Sequence, residues 1–259
     1  MANLIESPAL PSVTGSDWQG VRYFCTVRAG GVSAGSYASM NLGRRTQDDS
    51  ANVLENRRRL RAELPAEPLW LNQVHGVKVA DADQQREVLE ADASVTATTG
   101  RVLAIMTADC LPVVIGDVQG RAVGVAHAGW RGLAHGVLEQ TLIILQAKVG
   151  GDAQWRAWVG PGISQPYFEV GTDVYEAFVG RDSRTDIFFT PRAADKKWLA
   201  DLPGLAQHRL HAAGVAQVEL SGCCTYGEAE RFFSYRRRPD SGRMVTVAWL
   251  TGDRKGPHR

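Results

Sequence analysis

Three short segments each present one strong metal ligand or nucleophile: His75 in LNQVHG, Cys110 in TADCLP and His127 in AHAGWRG. Each stands where an apolar run meets a turn. One thiolate and two imidazoles can hold a zinc ion with a fourth position free, the donor set of a catalytic rather than a structural zinc. The same residues also suit a metal-free Cys–His pair of nucleophile and base. Taken alone, a cysteine at a strand end is commonly inert core, and a lone histidine is commonly structural. Cys110 is set apart by the polar, turn-forming Thr107 and Asp109 before it. His127 closes the next apolar strand, and a tight turn between neighbouring strands places their ends side by side. A nearby imidazolium or metal would lower the thiol pKa and supply thiolate at neutral pH.

Polar groups around these segments extend the chemistry. HAGWRG has two glycines at a helix start, where free amides bind anions, and Arg131 adds a charged fork for phosphate or carboxylate. A capped helix with Arg131 as a surface ion-pair partner reads equally well. Asp109 is the nearest carboxylate, a proton carrier or a bond to its own turn. His208 and His211 share a helix face without a third ligand, and His135 and His258 carry no chemical context. The adjacent Cys223 and Cys224 are poorly placed to bridge each other. Phe232 to Arg237 reads either as a pocket lining of aromatics and arginine or as a core strand with a basic edge.

Apolar periodicity indicates the elements that must position these groups. A strand is expected near Arg22–Val27, then a long ordered Gly/Ser loop from Gly30 to Gly43, then a helix over 49–63 ended by Pro65 and Pro68. Leu69–Val74 reads as the strand delivering His75, and Val102–Met106, Leu111–Ile115 and Ala122–Ala126 as buried strands. A helix over 133–148, a strand at Trp155–Val159, helices near 171–179 and 197–213, and strands at 216–220 and 244–250 complete the pattern. Strands alternate with helices but several are consecutive, so the expected fold is α/β (α+β): a single domain with mixed β-sheets flanked by helices. Its expected extent is 21–251, after a loose lead-in over 1–20 and before a polar tail over 252–259.

Composition narrows the class. In 259 residues, 44% are hydrophobic and 22% charged, ordinary for a globular chain. A net charge of +1 gives no global field for nucleic acid or membrane. The basic runs Arg57–Arg59 and Arg236–Arg238 read as solvated faces and ion pairs. No signal peptide or apolar span of roughly 20 residues is evident. Four irregularly spaced cysteines suit a reducing cytoplasm.

Together the segments GGVSAGSYASMNLG, NRRRL, LNQVHG, ADAS, MTADCLPV, AHAGWRGL, VGPGIS, FEVG, CCTY and FFSYRR, in this order along nearly the whole chain, resemble the YfiH-type family. That family is also called the multicopper polyphenol oxidase or laccase-like domain. The resemblance implies a fold shared with Cys–His hydrolases and a zinc-competent site of His75, Cys110 and His127. It also implies phosphate-dependent cleavage of adenosine, inosine and methylthioadenosine, deamination of adenosine, and editing of peptidoglycan precursors. Cys224, not Cys223, matches the family's Cys–Thr pair.

On that expectation purine nucleosides and phosphate are the partners, and the oligomeric state stays open. Asp109 is the candidate acid/base; Arg44, Arg45, Arg59 and Arg131, with Ser33 and the Gly30–Gly31 amides, are candidate phosphate contacts; Asn41 is a candidate for placing sugar or base. Zinc is the expected cofactor and copper the second choice, because six histidines are too few for the clustered sites of blue multicopper oxidases. Two further readings compete: a metal-free amidase with Cys110 as nucleophile and His127 as base, and copper-dependent oxidation of phenols.

Overall fold

A computed structural model describes residues 10–84, 89–193 and 196–252. At its centre is a six-stranded mixed sheet in the order Gln217–Leu220, Trp155–Val159, Leu111–Asp117, Val123–Ala128, Ala93–Thr96, Val79–Asp81. The two outermost pairings are parallel and the inner ones antiparallel. A second sheet, wholly antiparallel, runs Ser12–Val13, Val21–Thr26, Met244–Leu250, Leu103–Thr107.

The period-two alternation of strands builds the layers. Val21, Tyr23, Cys25, Leu103 and Ile105 of the second sheet pack on Val114, Val125 and Trp158 of the central one. The alternate residues Phe24, Ala104, Val245 and Val247 face the other way, onto Leu60 of the helix Ser50–Ala62 and Leu64 just beyond it. On the far face of the central sheet, Val113, Ile115, Ala157 and Val159 share a core with Leu138, Leu142, Leu205 and Leu210. These come from the helices Val137–Val149 and Leu202–Ala212. The resulting order is helix, sheet, sheet, helices. Leu111–Asp117 is buried along its whole length because both of its faces are covered. The fold is thus mixed α/β with helix-flanked sheets, as the sequence indicated. Among the described residues no helix is long and apolar enough to cross a membrane.

Several boundaries differ from expectation. The helix over 133–148 is two, Trp130–His135 and Val137–Val149, broken at Gly136 in the left-handed region with φ +98°. The helix over 197–213 begins instead as the strand Trp198–Ala200. Asp201 then caps a helix from Leu202, its carboxylate accepting the Gly204 amide at 3.0 Å. The strand over Leu69–Val74 shrinks to Leu71–Asn72, because the amides of Val74, His75 and Gly76 turn toward a buried carboxylate. From residue 10 onward the lead-in is built in, Ser12 and Val13 pairing with Thr26 and Cys25. Residues 253–259, most of the expected tail and including His258, lie outside the described residues.

Candidate active site

Register brings the first two groups together. Leu111–Asp117 runs antiparallel to Val123–Ala128 with Leu111 opposite Ala128 and Pro112 opposite His127, so Cys110 and His127 sit at one end of the same hairpin. His75 arrives from a separate turn after Leu71–Asn72, with φ +63°. The nitrogen and sulfur ligand atoms of the trio all lie within 4.8 Å of one another. The two imidazoles meet edge to face, centroids 4.7 Å apart. His127 is buried and His75 exposed.

Asp92, fully buried just before the strand Ala93–Thr96, organises this geometry. Its Oδ1 lies 2.8 Å from His127 Nδ1 and accepts the His75 amide at 2.9 Å. Its Oδ2 accepts the amides of Val74 at 3.1 Å and Gly76 at 2.7 Å. With Nδ1 engaged by Asp92, Nε2 is the ring nitrogen left to face Cys110. Asp92 lies in the segment ADAS, whose residues alone give it no role. The signal was a carboxylate set between two alanines at the head of a short strand of small residues, since Asp is seldom fully buried unless paired.

The electrostatics follow from this contact set. Burial opposes ionisation of Cys110, but the charge of His127 and hydrogen bonds to both histidines outweigh it, bringing the thiol down to about 6. Burial likewise opposes charge on His127, and the Cys110 thiolate and Asp92 overcome it, raising the imidazole to about 9. Burial would raise Asp92, yet bonds from His127 and the Gly76 and Val74 amides hold it below the ordinary carboxylate range. Near neutrality the pair therefore rests as thiolate and imidazolium.

The donor set fits a zinc ion: two imidazoles and a low-pKa thiol within reach of one centre, one imidazole oriented by a carboxylate behind it. His208 and His211 form no such group; His208 Nε2 lies 3.0 Å from Asp182, and His211 Nδ1 lies 3.0 Å from the Val215 carbonyl.

The trio opens into a cavity of about 790 Å³ lined by Arg44, Arg45, Arg57, Arg236 and Arg243, together with Trp70, Phe168 and Tyr235. Arg57 stacks on Trp70, its guanidinium carbon 3.7 Å from the ring centroid, and Arg236 lies over Phe168 at 5.4 Å. Arg45 donates to the Asn72 side chain. Burial, with the charge of Arg44 added, pulls Arg57 down to about 10. Among the described residues Asp109 is the one carboxylate in the lining, so the cavity is strongly cationic.

The sequence candidates divide sharply. Arg44 and Arg45 line the cavity, whereas Ser33, Asn41, Arg59 and Arg131 do not. Ser33 donates to Asp48 at 2.6 Å. Asn41 is fully buried in hydrogen bonds to its own loop and to the Arg243 amide. Arg59 binds Glu55 and the Gly30 carbonyl, and Arg131 is exposed beside the Trp130 ring. Asp109 does not bond its own turn. It has φ +91° and accepts Thr225 Oγ1 at 2.7 Å and the Arg236 amide at 2.6 Å, pinning two distant segments to the cavity wall. The basic runs are only partly surface ion pairs. Arg58 and Arg59 pair with Glu55, and Arg238 with Asp240. Arg57 and Arg236 face the cavity, and Arg237 donates to the carbonyls of Thr225, Tyr226 and Phe232.

Comparison with known proteins is consistent along the chain. The sequence model of the family described as multi-copper polyphenol oxidoreductase laccase matches residues 22–251. A purine nucleoside phosphorylase of Pseudomonas aeruginosa is 47% identical over 237 residues, covering 90% of this chain and 96% of the relative. The purine nucleoside phosphorylase YfiH of Escherichia coli is 44% identical over 235 residues, covering 90% and 95%. Among solved structures, a Neisseria meningitidis protein superposes with a TM-score of 0.85 at 40% identity, covering 93% of this chain and 99% of that one. YlmD from Geobacillus stearothermophilus gives 0.82 at 27% identity, covering 95% and 98%.

Proposed function

The chain belongs to the YfiH-type family, described as multi-copper polyphenol oxidoreductase laccase, and on that footing we propose that it is a purine nucleoside phosphorylase acting at the His75–Cys110–His127 end of the cationic cavity. One observation carries the reading: a single cavity unites that trio with five arginines and three aromatic rings. Phosphorolysis needs a held phosphate, a face for the purine and a proton for the departing base. The arginines supply the charge that holds phosphate. Trp70, Phe168 and Tyr235 offer faces for the base.

A phosphate oxygen bonds to C1′ as the C1′–N9 bond breaks, its electron pair leaving with the purine. The proton lost by phosphate ends on the base; in the metal-free site the imidazoles of His75 and His127 are its carriers. Adenosine, inosine and methylthioadenosine are the proposed substrates. Zinc held by His75, Cys110 and His127 would supply Lewis acidity. Hydrolytic deamination of adenosine belongs to the same site, with Asp109 moving the proton to the leaving ammonia. Copper fits less well, since His135, His208 and His211 are each engaged elsewhere. The four free thiols suit a reducing cytoplasm.

A second reading has its own support: Cys110, His127 and Asp92 stand in the order of nucleophile, base and orienting carboxylate. An amidase acting on peptidoglycan precursors would use them so. Product analysis with adenosine, with and without phosphate, separates the readings. Adenine plus ribose 1-phosphate only with phosphate, lost in Cys110→Ala, is the expected result. No turnover in either condition would overturn it in favour of the amidase.

A further inference from the structure

Asn41 spends every hydrogen-bonding position of its buried side chain. Its Oδ1 accepts the Gly43 amide at 3.0 Å and the Arg243 amide at 2.9 Å. Its Nδ2 donates to Thr46 Oγ1 and Asp48 Oδ2, both at 2.9 Å. Gly43 leads directly into Arg44 and Arg45, and Arg243 comes from a segment 202 residues away along the chain. One amide thus joins two strips of backbone that carry three of the cavity arginines.

The network continues to a fourth. Asp48 Oδ2 also accepts Ser33 Oγ at 2.6 Å, and Asn56 Nδ2 donates to Ser33 Oγ and the Asn41 carbonyl, both at 2.9 Å. Asn56 immediately precedes Arg57 on the helix Ser50–Ala62. Guanidinium groups crowded on one wall repel each other, so the frame beneath them must resist that force. A fully satisfied buried polar network is rigid enough to do so.

We propose that Asn41 is a positioning residue for anion binding, holding the Arg44–Arg45 segment and Arg243 on one wall so that their charges act on the same phosphate. The identity of that anion rests on the phosphorolysis reading. Ser33 and Asn56 are parts of the same frame and never touch the ligand.

Inorganic phosphate titrated calorimetrically into the intact protein without nucleoside tests this, with Asn41→Ala, Asn41→Asp and the paired exchange Asn41→Asp/Asp48→Asn. Asn41→Ala is expected to weaken phosphate ~10-fold or more, as a small displacement of binding groups does, while nucleoside affinity stays within about twofold. Asn41→Asp keeps the acceptor for both amides but sets two carboxylates side by side, and is expected to lose phosphate affinity as well. The exchange restores one amide and one carboxylate, and is expected to recover most of the wild-type value. A folded Asn41→Ala that binds phosphate like wild type overturns the proposal. If Asn41→Ala does not fold, an exchange that recovers nothing over Asn41→Asp overturns it equally. Wild type that binds phosphate without phosphorolysis removes the functional reading and leaves the positioning role decided by these affinities; wild type that binds none overturns both.

Discussion

Asp92 Oδ1 lies 2.8 Å from Nδ1 of His127 while accepting the backbone amide of His75, so one carboxylate orients one imidazole of the trio and anchors the backbone that carries the other. Asp92→Asn would offer one acceptor and turn two donors toward the Val74 and Gly76 amides, which already donate there. The expected loss is about 3 kcal/mol, the order seen when a buried, multiply bonded charge is removed. The carboxyl is held below its ordinary range, so its contribution is present above about pH 4 and is lost as pH falls further. Chemical denaturation of both proteins should show a gap at pH 7 that closes on acidification. A gap of the same size in acid would contradict the role.

Cys110 should be the reactive thiol of the metal-free protein. A pKa brought down to about 6 leaves it ionised at neutrality, so alkylation by iodoacetamide should be nearly flat above pH 7 and fall as pH drops through 6. An ordinary thiol has its midpoint near about 8.5. Cys25 is buried and pushed up to about 12, and should stay unlabelled. Asp92→Asn removes the support of the His127 charge and should move the Cys110 midpoint upward. Mass spectrometry of the labelled peptides reads both effects, and a midpoint near 8.5 in wild type would refute the thiolate–imidazolium pair.

The arginines divide into two groups with opposite expectations. Arg57→Ala and Arg243→Ala should each raise KM for phosphate by roughly 10- to 100-fold, the cost of removing a charged anion contact. Arg59→Ala and Arg131→Ala remove groups outside the cavity and should stay within about twofold. Phosphate titrations at fixed nucleoside distinguish the sets. Equal losses in all four would mean a diffuse field rather than a lined cavity.

Zinc bound by the trio should stabilise the fold as well as serve the chemistry. At free zinc about 1,000-fold above Kd, binding adds about 4 kcal/mol. Chelation should therefore lower Tm and zinc should restore it, with no such response in Cys110→Ala. Elemental analysis of the purified protein checks occupancy independently, and a Tm indifferent to chelator and zinc alike would leave the metal-free reading in place.

Local pattern exposed the ends of the central hairpin, because each ligand terminates a buried apolar run. It exposed the layered fold for the same reason. Arg57 was read as solvated because of its charge, although it shares the helical stripe of Val53, Leu60 and Leu64, the buried face, and it lines the cavity. Asp92, Trp70 and Arg243 were not legible, because their roles depend on neighbours tens to hundreds of residues away. Asn41 and Ser33 read as ligand contacts because they are polar residues in a Gly-rich loop, yet neither is in the cavity lining and both bond within the protein frame. Gly136 broke a helix that apolar spacing alone carried through, since periodicity does not register a left-handed residue.

Gly129, between His127 and the helix Trp130–His135, is required by closeness rather than by backbone angle, its φ of −66° being open to any residue. A Cβ there would stand 2.9 Å from Cys110 Sγ and 3.1 Å from His75 Cδ2. Neither neighbour can withdraw without leaving the trio, because Cys110 is held at a strand end and the His75 backbone is tied to Asp92. Gly129→Ala should therefore fold, with Tm lowered only by the strain of one methyl group, about 1–3 kcal/mol. It should nevertheless lose zinc binding and fast Cys110 alkylation together, since both require the sulfur to stay beside the imidazoles. Metal retention at the wild-type level in a folded Gly129→Ala protein would mean that the three ligand atoms do not converge as described.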